Sequence, residues 1–499
     1  MNTLSVEAKK TNISARLLVS FMLAVCYGLV FFTSNTPLGP AISSDNAMYL
    51  TMGTAIAKGF APYTEIFDHK GPLLFLLQTF PQLFSGGYST LSVFCQEVLF
   101  LFACLTLVSK IADALSAPAF PAQLCYLALG SALLDGGNLT EEYAAVFTLA
   151  GLYVIVKTFG SGMPERAEGL FARAALLGAM TMLAFMTRAN NALVLLAMTA
   201  VFAVVFAVKK QFVSLGRCAG GFTLGLLAAG LPVAVWLAAN GALKESIYGS
   251  IIHNMMYAET GSTSRVHTLL FKPYGHRAIF LAAVSCLGAL TLIRKNLALS
   301  AAMVMGAAAA GFAAFISHKF YNHYLYIGVP LAAFGAAALL GAAVKVWAGR
   351  KKAVSLAVSL ACCIALIPAF FACRSERLWW RESYLAVQQS AEELYALVPE
   401  EDRDSFLAYR AEPMWYVAAE ALPSMRFYFL QEILADADPA VMDEIVDTFD
   451  ARPPKWLVIY YNREFGPPYD ARVQAVFDTR YEFVAASGTY QLLRLREAL

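Results

Sequence analysis

Eleven mostly apolar stretches recur through the first three quarters of this chain, and they limit its fold more than any other feature. They run over residues 17–36, 89–109, 119–135, 142–158, 173–188, 190–208, 217–239, 277–293, 297–316, 324–346 and 353–372. In a bilayer the backbone must satisfy its own hydrogen bonds, and about 20 apolar residues in a helix do this across the hydrocarbon core. The fifth and sixth stretches are one long run interrupted by Thr187-Arg188-Ala189-Asn190-Asn191. We read them as two short spans meeting at a polar turn. A single tilted span is the alternative, and it would reverse every later connection. Of all residues 59% are apolar and 14% charged, which excludes a soluble enzyme over most of the length and excludes disorder. A net charge of +2 gives no case for nucleic acid, and the six His show no zinc-like spacing.

Charge divides the chain. Residues 1–373 hold 24 Lys/Arg and 13 Asp/Glu, whereas residues 374–499 hold 13 and 22 in about a third of the length. A membrane domain over 1–373 and a soluble α/β domain over 374–499 follow, with the boundary near Ala372–Glu376. Eight of nine Cys lie in apolar runs and Cys373 stands at the boundary, so no disulfide framework supports the tail. Basic residues set orientation. With the N-terminus inside, 16 Lys/Arg fall in inner connections, among them Lys9, Lys10, Arg166, Lys209 and Lys210. Eight fall outside: Lys58, Lys70, Arg188, Lys244, Arg265, Lys272, Arg277 and Lys319. The tail then lies outside the cytoplasm, and the first span is a retained anchor.

The outer loops are the rich ones. Residues 37–88 form a long first loop, with an amphipathic stretch Asn46–Lys58, and residues 240–276 form a second. Short outer turns cover 136–141 and 317–323. In the tail, residues 377–397 read as a helix leading away from the membrane. Ser405–Arg410 and Trp456–Tyr461 read as buried strands, Pro439–Phe449 as a helix, and Tyr481–Ala486 with Tyr490–Leu495 as a hairpin. The tail has no phosphate loop, nucleophile elbow or metal spacing, and reads as a lid or docking module.

Candidate chemistry therefore faces outward. Asp45, at a membrane exit, is either a helix cap or a general base for an incoming hydroxyl. Lys70 precedes Gly-Pro at a helix start, where it either binds a phosphate with the helix amides or sits among lipid head groups. His69 and Asp68 adjoin it. In Asp135-Gly136-Gly137-Asn138-Leu139-Thr140-Glu141-Glu142-Tyr143, Thr140 caps a helix and two acids favour its N-terminus. The functional alternative makes Glu141 and Glu142, with Asn138, a second acidic site that positions an acceptor or, with Asp45, binds a divalent cation. Arg188 within an apolar stretch needs an anionic partner: Glu97 or a lipid phosphate. His318, Lys319, Tyr321, His323 and Tyr324 cluster at another outer turn, as in an interfacial belt.

An acid after the first span, then Gly59-x-x-Pro62-Tyr63, then Asp68-His69-Lys70-Gly71-Pro72-Leu73, resembles the first outer loop of GT-C superfamily membrane glycosyltransferases. The bacterial protein O-mannosyltransferase and aminoarabinose transferase group is the likeness. Asn138–Tyr143 is similar to their second acidic loop, and Lys319–Tyr324 to their late outer turn. The likeness covers most of residues 15–346. Asn46 stands where many relatives have a second acid, and Gly71 where several have proline.

The resemblance implies a polytopic α-helical membrane protein of about eleven spans with a small extracytoplasmic α/β domain, in a bacterial cell membrane. It implies inverting transfer of a sugar from a polyprenyl-phosphate donor to a glycan, lipid or protein acceptor. Asp45 takes the catalytic place; Lys70, Arg188 and His69 take the donor phosphate; Glu141, Glu142 and Asn138 take the second acidic site. Asp68, His323 and Tyr324 are further members. A surface-glycan polymerase or ligase would share this site. A transporter or flippase would place charges deep on several helices, and only Glu97 and Arg188 do so.

Overall fold

The structure is a computed structural model that describes residues 2–164, 169–261, 263–460 and 469–496. Arg166 and Tyr461 lie outside the described residues, as do the side chains of Lys9 and Lys10. Among the described residues ten helices are long and apolar enough to cross a membrane. The third expected span is shorter: a 12-residue helix Ala119–Gly130 followed by a tight turn Ser131–Leu133. The long apolar run does divide. Helix Leu170–Thr187 ends at Arg188, whose backbone is extended (φ −165°, ψ 133°), and a 3-10 turn Ala189–Ala192 leads into helix Leu193–Val208.

Two compact units result. The first comprises Met1–Leu38, Phe94–Val233 and Thr263–Glu376. Its core is built from helix faces carrying residues such as Tyr27, Leu105, Leu152, Leu195, Met303 and Phe334. Lipid tails are as apolar as these side chains, so close helix packing rather than water exclusion holds such a bundle. Helices Pro273–Leu292 and Val329–Val346 meet at Gly288 and Gly335, where a Cβ on Gly288 would lie 2.4 Å from the Gly335 Cα.

The second unit comprises Gly39–Val93, Ala234–Ser262 and Arg377–Leu499. The tail thus gathers with the first long loop and with the first part of the second. Residues 377–397 are not a separate helix, since one helix runs unbroken over Lys351–Tyr395. The tail sheet has four strands, β1 Phe406–Tyr409, β2 Trp456–Tyr460, β3 Tyr481–Ser487 and β4 Tyr490–Leu495, in the order β1-β2-β4-β3. The β1/β2 pair is parallel and the other two are antiparallel. Helix Ala440–Ala451 connects β1 to β2 in the chain, and its start is held by Asp438, whose carboxylate accepts from the Ala440 amide at 3.1 Å. The α/β reading holds because each strand is short, β-branched or aromatic, and bounded by turn residues.

Helix Ser44–Ala57 corrects the expected amphipathic stretch. Asn46 through Ala55 are all buried. The helix is enclosed within its unit, packing on Pro72–Ser85 so tightly that a Cβ on Gly53 would meet the Gln78 carbonyl at 2.2 Å.

Candidate functional site

The candidate residues form two clusters, one in each unit. In the second unit the cap of helix Ser44–Ala57 is Ser43, whose hydroxyl accepts from the Asn46 amide at 3.4 Å. Asp45 lies in the first turn and is half-buried. The expected capping role therefore belongs to its neighbour, and the Asp45 carboxylate is left with a helix N-terminus that favours its charge.

Asp68, His69 and Lys70 gather just before helix Pro72–Ser85, which starts at Gly71 with proline in its first turn and no side-chain cap. Asp68 Oδ1 accepts from the Lys70 amide at 3.2 Å and lies 3.3 Å from His69 Nδ1 and 3.7 Å from Lys70 Nζ. Lys70 Nζ lies 3.2 Å from His69 Nε2. An imidazole with its proton on Nδ1 satisfies both contacts, donating to Asp68 and accepting from the ammonium. Asp68 is 3% exposed and its Oδ2 is buried without a partner. Burial pushes its carboxyl above the usual range, the nearby Lys70 charge opposes this, and Asp45 adds to it. The Tyr63 hydroxyl donates to the Lys70 carbonyl at 2.7 Å. His69 is packed by Tyr257, with ring centroids 4.9 Å apart, and Asn254 donates to its carbonyl. These second-loop residues were not singled out from sequence, although His253 and Tyr257 stand one helical turn apart.

In the first unit the Asp135–Tyr143 turn is built around a buried carboxylate. Glu97 accepts from the Asn35 side chain at 3.0 Å and from the Asn138 amide at 2.5 Å. Asn138 adopts φ 60°, and Gly136 and Gly137 adopt φ 88° and 92°, which glycine tolerates freely. A Cβ on Gly137 would lie 2.5 Å from Glu97 Oε1. Asn138 is fully buried, and its side-chain oxygen accepts from Tyr143 at 2.6 Å. Thr140 is not the cap: it is the first residue of helix Thr140–Phe159, which is capped at Leu139, and its hydroxyl donates to Glu141. Glu142 reaches back to the Leu139 amide at 3.5 Å, a capping-box contact.

Arg188 corrects the expected pairing. Its Nη1 donates to Glu141 at 2.8 Å, and its guanidinium lies 4.2 Å from the Tyr324 ring centroid. Glu97 is occupied by the turn. His323 Nδ1 lies 2.9 Å from Asp135 Oδ2 and its ring stacks with Tyr321. Arg188, Glu141, His323 and Tyr324 are therefore brought together from three distant segments, and Asp135 joins them unforeseen.

The fold carrying these clusters has known counterparts. This chain is similar in structure to ArnT from Cupriavidus metallidurans bound to undecaprenyl phosphate, at a TM-score of 0.58 with 13% identity. That match covers 95% of this chain and 97% of the other. The apo state of the same protein gives a TM-score of 0.60 at 12% identity, covering 97% and 98%. Archaeal oligosaccharyltransferase AglB from Archaeoglobus fulgidus, in complex with an inhibitory peptide and a dolichol-phosphate, gives 0.51 at 11% identity, covering 91% and 70%. The chain shares its fold with these membrane proteins. No protein-family model matches the chain, and no curated protein sequence matches it.

The acids named for a divalent cation do not fit one well. Glu141 is engaged by Arg188 and Thr140, and Glu142 by the backbone of Leu139. Among the described residues no group of three or more His, Cys, Asp or Glu is arranged to hold a metal. Each cluster instead holds a cation paired with a carboxylate: Lys70 with Asp68, two residues before helix Pro72–Ser85, and Arg188 with Glu141, on the face of Tyr324.

Proposed function

We propose that this protein is an integral membrane glycosyltransferase that moves a sugar from a polyprenyl-phosphate donor to an acceptor outside the cytoplasm, with inversion. The carrying observation is the Asp68–His69–Lys70 group at the start of helix Pro72–Ser85, on a fold shared over nearly the whole chain with a protein bound to undecaprenyl phosphate. The basic-residue asymmetry supports an outward site.

In this reading Asp45 takes the proton of the acceptor hydroxyl, whose oxygen attacks the anomeric carbon. The bond from that carbon to the phosphate oxygen breaks, and the polyprenyl phosphate leaves with both electrons. A phosphate leaves more readily the better its charge is stabilised. Lys70 supplies that charge, and the positive end of the dipole of helix Pro72–Ser85, which starts two residues later, favours the phosphate too. Asp68 and His69 hold the ammonium on its inner side. Arg188 is the second cation for the donor. Glu141 keeps Arg188 in place, and Glu142 and Asn138 fix the turn that carries Glu141.

The test uses the purified full chain in nanodiscs. Binding of undecaprenyl phosphate is measured first, then release of polyprenyl phosphate from a panel of polyprenyl-phosphate sugars. Saturable binding, and turnover with at least one donor, are expected. Failure to bind undecaprenyl phosphate, with no turnover of any donor, overturns the reading.

A further inference from the structure

Arg426, in the tail between helices Met414–Ala418 and Gln431–Ala437, makes an unusual number of contacts for a residue with no motif around it. Its carbonyl accepts from the Phe67 amide at 3.0 Å, and its Nε donates to the Tyr63 carbonyl at 2.7 Å. Its two terminal nitrogens reach Glu245 at 2.5 Å and Glu444 at 2.9 Å. The guanidinium carbon lies 5.1 Å and 5.0 Å from the Phe67 and Phe427 ring centroids. One side chain thus ties the first outer loop, the second outer loop and the tail, all within the second unit.

The two first-loop contacts bracket a tight turn. Tyr63 holds φ 62°, a left-handed conformation that a tyrosine adopts only when its surroundings fix it. Its amide donates to the Ile66 carbonyl at 2.9 Å, and its hydroxyl donates to the Lys70 carbonyl. Phe67 immediately precedes Asp68-His69-Lys70. Whatever holds Tyr63 and Phe67 therefore holds the backbone from which Lys70 extends. A planar fork with five donors suits three acceptors and two ring faces at once; a lysine ammonium does not.

We propose that Arg426 is a positioning residue. It sets the backbone of residues 63–70 and, through it, the placement of Lys70 toward the phosphate of a polyprenyl-phosphate lipid. The ligand in this inference rests on the function proposed above. It gives the tail a task beyond covering the site: without the tail's arginine the first loop lacks its anchor.

Arg426→Lys in the full chain tests this with two readouts. Hydrogen exchange over residues 63–70 is expected to quicken about tenfold while β2, Trp456–Tyr460, is unchanged. Affinity for undecaprenyl phosphate, the probe, is expected to fall about tenfold, and turnover by about 10²-fold, as for a misplaced group. Uniformly faster exchange and a lower Tm with unchanged affinity would mean that Arg426 is merely structural, and the proposal fails. If Arg426→Lys does not fold, Glu245→Gln removes one partner, and the same local pattern at smaller size is expected; unchanged exchange over 63–70 overturns the proposal. A wild-type chain that does not bind undecaprenyl phosphate sinks the glycosyltransferase reading, and exchange alone then decides whether Arg426 sets the loop.

Discussion

Arg188 and Glu141 stand 2.8 Å apart with side chains 10% and 2% exposed, and this pair joins a break between two membrane helices to the start of a third. A buried ion pair of this kind owes its importance to what happens when half of it is removed. The remaining charge then stays buried without compensation. Arg188→Gln or Glu141→Gln alone is expected to destabilise by roughly 3–5 kcal/mol, and the double variant by less than the sum. Glu97→Gln should combine additively with Arg188→Gln. Thermal unfolding of the purified variants checks both statements, and strong coupling of Arg188 to Glu97 would refute the pairing.

Ser43 and Asp45 separate stability from chemistry. Ser43→Ala removes the helix cap and is expected to cost about 1 kcal/mol with turnover retained. Asp45→Asn keeps shape but not basicity, and is expected to lose about 10²–10⁴-fold in turnover with little change in Tm. Near-wild-type transfer by purified Asp45→Asn would remove it as the base.

Asp68 predicts a pH signature. Its carboxyl is raised in the folded state from the ordinary 3.8, with burial the largest cause. Below 3.8 both states are protonated and nothing is lost. As pH rises past that value the unfolded chain ionises first, so folding stability declines until the folded carboxyl also ionises. Asp68→Asn should flatten this decline. Lys70→Ala, which removes the charge opposing the rise, should extend it to higher pH. Denaturation midpoints of wild type and Asp68→Asn measured from pH 3.5 upward decide the matter; a difference between the two that does not change with pH over this range contradicts the assignment.

Orientation is open to a direct measurement. Arg452 is exposed at the end of helix Ala440–Ala451. Arg452→Cys in a background without the nine native thiols is expected to react with a membrane-impermeant maleimide in intact cells. Reaction only after lysis would place the tail inside and reverse the assigned sidedness.

Ten of the eleven spans, the break at Arg188 and the tail strands were legible in the sequence because each depends on local pattern, whereas the short third helix and the continuous helix Lys351–Tyr395 were not. An apolar run must be a helix in lipid, a polar turn interrupts it, and short runs of β-forming residues bounded by turn residues make strands. The Asp68-His69-Lys70 group was legible for the same reason, since its members are neighbours in the chain. Tertiary structure alone decided which carboxylate meets Arg188, that Asn138 faces inward to Tyr143, that Asp135 pairs with His323, and that Arg426 anchors a loop some 360 residues earlier. Hydropathy fixes where a segment lies but not how it is turned toward its neighbours. A helix that rotates by one residue turns its side chains by about 100°. The choice between Glu97 and Glu141 therefore belonged to the packing of whole helices, where glycine contacts and a buried turn set the rotation.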